Sequence, residues 1–142
     1  MKPTLTPYLN FNGNGIEAMK FYQSILGGEL TVQTYGDSGM AQSSEHENRL
    51  MHAHLSNDSL SFMASDGPPN RESVFGDNVH MSIVGSDREK LTEFFNKLSE
   101  GGTVDMPLEK QFWGDVFGML TDKFGIHWMI NISSSESADA QS

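Results

Sequence analysis

A chain of 142 residues suits one domain, or two small modules, and at that size roughly 70% of the unfolded surface can be buried without covalent staples. Cysteine is absent, which excludes disulfides, thiolate metal ligands and thiol nucleophiles. The formal net charge of −10 opposes binding to nucleic-acid phosphates or anionic lipid and is compatible with a neutral or cationic small ligand.

The first seven residues hold no apolar targeting core and no long apolar run follows, so neither a signal peptide nor a membrane span is expected. The expectation is a cytoplasmic protein without nucleic-acid or membrane partners. Residues 5–12 alternate, with Leu5, Leu9 and Phe11 on one side and Tyr8, Asn10 and Asn12 on the other, as in a half-buried strand. Pro7 places that strand at a sheet edge or restricts Pro7 to its start. Asn14 and Glu17 read as a helix N-cap and an acidic N3 residue, and Ile16, Met19, Tyr22, Ile25 and Leu26 follow at helical spacing. Gly27-Gly28 stops that helix. Residues 29–35 read as a second strand, and 50–55 and 60–65 as a hairpin.

The pattern then restarts. Residues 78–84 alternate, with Val79, Met81 and Ile83 on one face and His80 and Ser82 on the other. Ser86 to Glu89 reads as a capping box, Leu91, Phe94, Phe95 and Leu98 form a second apolar stripe, and Gly101-Gly102 ends it. Strands are expected near 103–105, 115–121 and 127–132. The caps, the aromatic pairs Phe21-Tyr22 and Phe94-Phe95, and the glycine pairs recur at offsets of 72, 73 and 74. Three features in one order at nearly constant spacing indicate a duplicated module. The expected fold class is α+β: two βαβββ modules forming a curved mixed sheet around a cavity. The expected organisation is one domain over 1–132, with module one near 5–65, a linker at 66–77 and module two near 78–132. Residues 36–49 read as a long polar loop, and 133–142 as a disordered tail.

The run from Thr6 to Gly13, then Glu17-Ala18, Phe21-Tyr22 and Leu26-Gly27-Gly28, resembles the opening of PhnB-like proteins. Met51-His52-Ala53 and 62–66 continue the likeness, and Phe112-Trp113-Gly114-Asp115, Phe117-Gly118, Asp122, Phe124-Gly125 and Trp128 resemble their C-terminal signature. These proteins belong to the glyoxalase/bleomycin-resistance (vicinal oxygen chelate) superfamily, whose fold of paired βαβββ modules agrees with the repeat. The superfamily holds metal-dependent lyases, isomerases and dioxygenases beside metal-free antibiotic-binding proteins, so the resemblance does not carry one chemistry. A methyltransferase label often given to PhnB-like proteins finds no support, because no strand leads through a glycine-rich turn into a helix that could cradle an adenosyl cofactor.

Metal-using members place ligands on the first and last strands of each module. The matching positions here are Tyr8 (or Thr6), Met63, His80 and Met129. Thioethers stand where glyoxalase I has acids, and thioether sulfur is a poor ligand for hard divalent ions. An alternative divalent-ion cluster is His52, His54 and His80, with Glu45 or Glu47 from the long loop. Strand parity places Tyr8, Asn10, His52, His54, Met63, His80 and Met129 on the face opposite Phe62, Val79, Ile83, Trp128 and Ile130, which are expected to pack on the helices. Trp113 reads as a wall at the rim of the resulting ligand pocket. Asp122 and Gly125 read as turn residues, His127 as exposed, and His46 receives no role. The sequence thus predicts a small-molecule-binding protein without cofactor, of a sequestering or resistance type, and by family likeness a homodimer. A metal-dependent glyoxalase- or dioxygenase-type enzyme is the alternative, so catalysis stays open at this point.

Overall fold

The computed structural model describes residues 2–39, 41, 43–68 and 70–134. The chain divides into two compact units, Met1–Val74 and Phe75–Ser142.

The first unit runs β1 (Tyr8–Asn10), α1 (Gly15–Leu26), β2 (Glu29–Thr34), α2 (Tyr35–Ser38), α3 (Ser44–Glu47), β3 (Leu50–Ser56) and β4 (Ser61–Ser65). Its sheet has the order β1-β4-β3-β2, with β1 parallel to β4 and the other pairs antiparallel. Pro7 abuts an edge strand, where its missing N–H costs no ladder bond, and its carbonyl accepts from Met63 N at 3.0 Å. Helix α1 packs on β2, β3 and β4, burying Ala18, Met19, Tyr22 and Leu26 with Leu50, Ala53, Leu55, Phe62 and Ala64 of the sheet. Each fully buried large side chain in such a core contributes about 1.5–3 kcal/mol.

The cap of α1 differs from the sequence reading. Asn14 makes no side-chain cap bond. The buried Asp66 carboxylate takes that role, its Oδ1 accepting from Gly13 N at 3.0 Å and Gly15 N at 2.9 Å, while Oδ2 accepts from Leu50 N at 2.8 Å. A carboxylate serves here because it also complements the positive end of the helix.

The 36–49 segment, of which 40 and 42 lie outside the described residues, carries two short helices where the sequence predicts a loop. Thr34 and Asp37 form a reciprocal capping box on α2, and Ser43 caps α3. His46 is buried, with its ring 4.1 Å from that of Tyr35. Short caps substitute here for the missing apolar stripe, because they satisfy backbone groups locally.

The second unit runs β5 (Met81–Gly85), α4 (Arg88–Leu98), β6 (Thr103–Lys110), β7 (Val116–Thr121) and β8 (His127–Ile132). Its sheet order, β5-β8-β7-β6, reproduces that of the first with β5 parallel to β8. The N-cap of α4 is Asp87, which accepts from Lys90 N at 3.1 Å, one residue later than the predicted Ser86. Leu91, Phe95 and Leu98 turn inward with Leu120, Trp128, Ile130 and Ile132. Of each repeated aromatic pair the second member, Tyr22 or Phe95, is buried while the first is only half-buried.

Both modules are therefore βαβββ, and the class is α+β. Several boundaries move. β5 begins at Met81, so Val79 precedes the strand and stands 74% exposed rather than packing on a helix. β6 extends to Lys110 instead of ending near 105. Ser133, placed by sequence in the tail, is buried and donates to the Gly85 carbonyl at 2.7 Å. Ser134 donates to Asp115 Oδ1 at 3.2 Å, and the rest of the expected tail, 135–142, lies outside the described residues.

Among the described residues no helix is long and apolar enough to cross a membrane.

Candidate functional site

Each sheet has a face turned to its helix and an opposite, open face. Register fixes which side chains share each open face. In the first unit Tyr8 pairs Met63, Met63 pairs His54, and His54 pairs Thr31, giving one row across four strands. His52 pairs Gln33 two residues along the same face, and Asn10 pairs Ser65. Tyr8, Asn10, His52, His54 and Met63 therefore share one face, as their parity predicted. His52 Nδ1 lies 3.3 Å from the Tyr8 hydroxyl with the rings 6.0 Å apart, and His54 Nε2 lies 2.7 Å from Ser61 Oγ. Each histidine thus has a hydroxyl partner that can donate or accept, which holds the ring without fixing its tautomer.

In the second unit Ser82 pairs Met129, and His80, one residue before β5, lies beside His127, which has the parity of Met129. The His80 ring lies 5.5 Å from that of His127. His127 is half-buried and heavily bonded, against the sequence reading of simple exposure. Its Nε2 lies 2.9 Å from the Gly76 carbonyl and its Nδ1 2.8 Å from Thr121 Oγ1. Thr121 in turn donates to Asp105 Oδ2 at 2.7 Å. A carbonyl can only accept, so Nε2 of His127 is the donor to Gly76, while Nδ1 shares the Thr121 hydroxyl. The signal was present in the sequence: His127 has the parity of Met129.

Sequence reasoning also missed Phe117, Met119 and Asn131, which share this open face. Trp113 is 50% exposed at the β6–β7 turn, edge-on to Phe112 at 5.0 Å and Phe117 at 6.2 Å. It therefore borders the open face at its Phe117 end. Phe112 beside it is 97% exposed.

Asp122, 3% exposed, is a turn residue as expected and more. Its Oδ1 accepts from Phe124 N and Ile126 N at 2.8 and 3.1 Å, and its Oδ2 from the Trp128 indole at 2.8 Å. It pins the main tryptophan of the core and carries no chemistry of the open face.

The donors at the four family metal positions are a phenol, two thioethers and one imidazole, of which Tyr8 and Met63 are direct cross-strand partners. That set does not fit a hard or borderline divalent ion. Among the described residues no three His, Cys, Asp or Glu side chains group as metal ligands. Glu47 lies exposed in α3, and the Glu45 side chain lies outside the described set.

Two sheets of order 1-4-3-2, each backed by one helix and each with an open polar and thioether face, match a known family. Residues 9–130 fit the model of the glyoxalase/bleomycin resistance protein/dioxygenase superfamily, and the chain belongs to it. Within that superfamily it is PhnB-like. It is similar to protein YjdN of Escherichia coli, at 30% identity over 139 residues that cover 90% of this chain and 94% of that protein. Among solved structures it resembles PA1353 of Pseudomonas aeruginosa, at 38% identity and a TM-score of 0.84, covering 93% of this chain and 98% of that one. It also resembles the PhnB protein of Bacillus cereus, at 27% identity and a TM-score of 0.77, covering 92% and 100%.

Proposed function

We propose that the chain is a small-molecule-binding protein of sequestering or resistance type that works without a divalent metal ion, acting as a cytoplasmic homodimer. The observation that carries this reading is the division of each sheet. One face is sealed under a helix, whereas the other leaves His52, His54 and Met63, or His80 and Met129, half-buried and reachable by a ligand. Polar groups held at fixed positions among polarisable apolar ones are what a specific small-molecule site requires. The replacement of acidic ligands by thioethers favours binding over divalent-ion catalysis. The homodimer rests on family likeness and on exposed apolar residues at edge strand β6 and its turn, Val104 and Phe112.

Native mass spectrometry of untagged protein, with elemental analysis, tests the reading. The expected result is an organic mass retained at a fixed ratio without a stoichiometric divalent ion. Ligand affinity should fall by about 1–3 kcal/mol in His80→Ala, where a polar group of the buried ligand is left unpaired. Stoichiometric Zn, Ni, Fe or Mn that is lost on replacing His52, His54 or His80 would overturn it in favour of a glyoxalase- or dioxygenase-type enzyme.

A further inference from the structure

Three methionines form a straight row across the open face of the second unit. Met106 pairs Met119, and Met119 pairs Met129, on the adjacent strands β6, β7 and β8. Cross-strand partners hold their Cβ atoms about 4.5–5.5 Å apart, within reach of one centre for three unbranched thioethers.

Strand parity alone does not give this row. Val104 pairs Leu120, a buried residue on the helix side, so an unbroken β6 would turn Met106 to the helix side as well. The register of β6 shifts on both sides of Met106, between Val104 and Met106 and again between Met106 and Glu109. The first shift brings Met106 opposite Met119. A bulge re-aims a side chain at the cost of ladder regularity, and such irregularities concentrate beside functional sites.

All three methionines remain open to solvent, Met106 at 41% exposure. The His80 ring lies 5.5 Å from that of His127, which shares the face of Met129 two residues along β8. The softness that makes thioethers poor ligands for divalent ions makes them good ligands for a soft monovalent d¹⁰ cation. We propose that Met106, Met119 and Met129 form a binding site for Cu(I), with His80 as an additional nitrogen donor. The site goes beyond the small-molecule reading and stands on the methionine row alone.

The test is an anaerobic titration of untagged protein with Cu(I) against bicinchoninate. A parallel titration with Ag(I), an air-stable soft cation, is followed by the methyl resonances of ¹³C-methyl-labelled methionine. One equivalent of Cu(I) should be retained. Ag(I) should shift the signals of Met106, Met119 and Met129 and leave the other six of the nine methionines in place. Replacing all three by Leu conserves volume and hence the fold, and should reduce retention at least tenfold. Failure to compete with bicinchoninate, retention undiminished in the triple Leu variant, or Ag(I) shifts at other methionines in the wild-type protein would each overturn the assignment.

Discussion

The Asp66 carboxylate accepts a hydrogen bond from the amide of Gly15, 51 residues earlier in the chain, at 2.9 Å. The same side chain holds the amides of Gly13 and Leu50, so one buried residue after β4 fixes the entry to α1 and the start of β3. Asp66→Ala removes the acceptor from three backbone donors. Each buried donor left unpaired costs about 1–3 kcal/mol, and the variant should lose roughly 3 kcal/mol or more in urea denaturation. A loss below about 1 kcal/mol would show that other acceptors replace it.

The repeated glycine pairs divide their labour. The first of each pair has φ of 75°, Gly27 as the C-cap of α1 and Gly101 two residues beyond Ser99, which caps α4 in place of the predicted glycine; a Cβ would meet nothing at Gly27 and only the Lys123 side chain at Gly101. The second lies against a neighbouring strand. A Cβ on Gly28 would come within 2.6 Å of the Ser56 carbonyl oxygen, and one on Gly102 would collide with the Thr121 carbonyl. Ala at Gly27 should cost about 1 kcal/mol through its positive φ, whereas Ala at Gly28 or Gly102 should cost clearly more, because backbone must move. Equal midpoints across the variants in thermal denaturation would contradict the division.

Trp128 anchors β8 through both its buried ring and its bond to Asp122. Trp128→Phe keeps an aromatic ring but withdraws the indole donor from a buried carboxylate, and should destabilise by about 1–3 kcal/mol. In Asp122→Asn, an oxygen remains for the turn amides of Phe124 and Ile126 but the second oxygen becomes a donor facing the indole N–H. The double variant should therefore lose less than the sum of the two single losses, measurable as a coupling in a double-mutant cycle.

The proposed homodimer predicts a light-scattering mass near twice the 15.7 kDa of the chain at micromolar concentration. Phe112→Ser, which removes a fully exposed aromatic at the β6–β7 turn, should shift the equilibrium toward monomer without changing the denaturation midpoint of the separated chains. A wild-type mass near 15.7 kDa throughout that range would reject the dimer.

The sequence alone determined the duplicated βαβββ module and the residues of the open face that lie within regular strands. Both follow from periodicity: the helical stripes that run to Leu26 and Leu98, and the parity that put His52, His54, Met63 and Met129 opposite the buried Ala53, Phe62 and Trp128. Periodicity is a local property, so local residues suffice to reveal it. Where the strand ends or breaks, parity fails, and Val79 was misplaced because β5 starts two residues after it. Tertiary structure decided what depends on partners far along the chain. Asn14 looked like the cap of α1 because short polar residues cap helices locally, yet the buried site selected a charged acceptor from Asp66. His127 looked exposed until Thr121, Asp105 and the Gly76 carbonyl closed around it. Met106 reached the open face only through a register shift that no pattern of apolar residues records, because a bulge is set by how two strands pair and not by either strand alone.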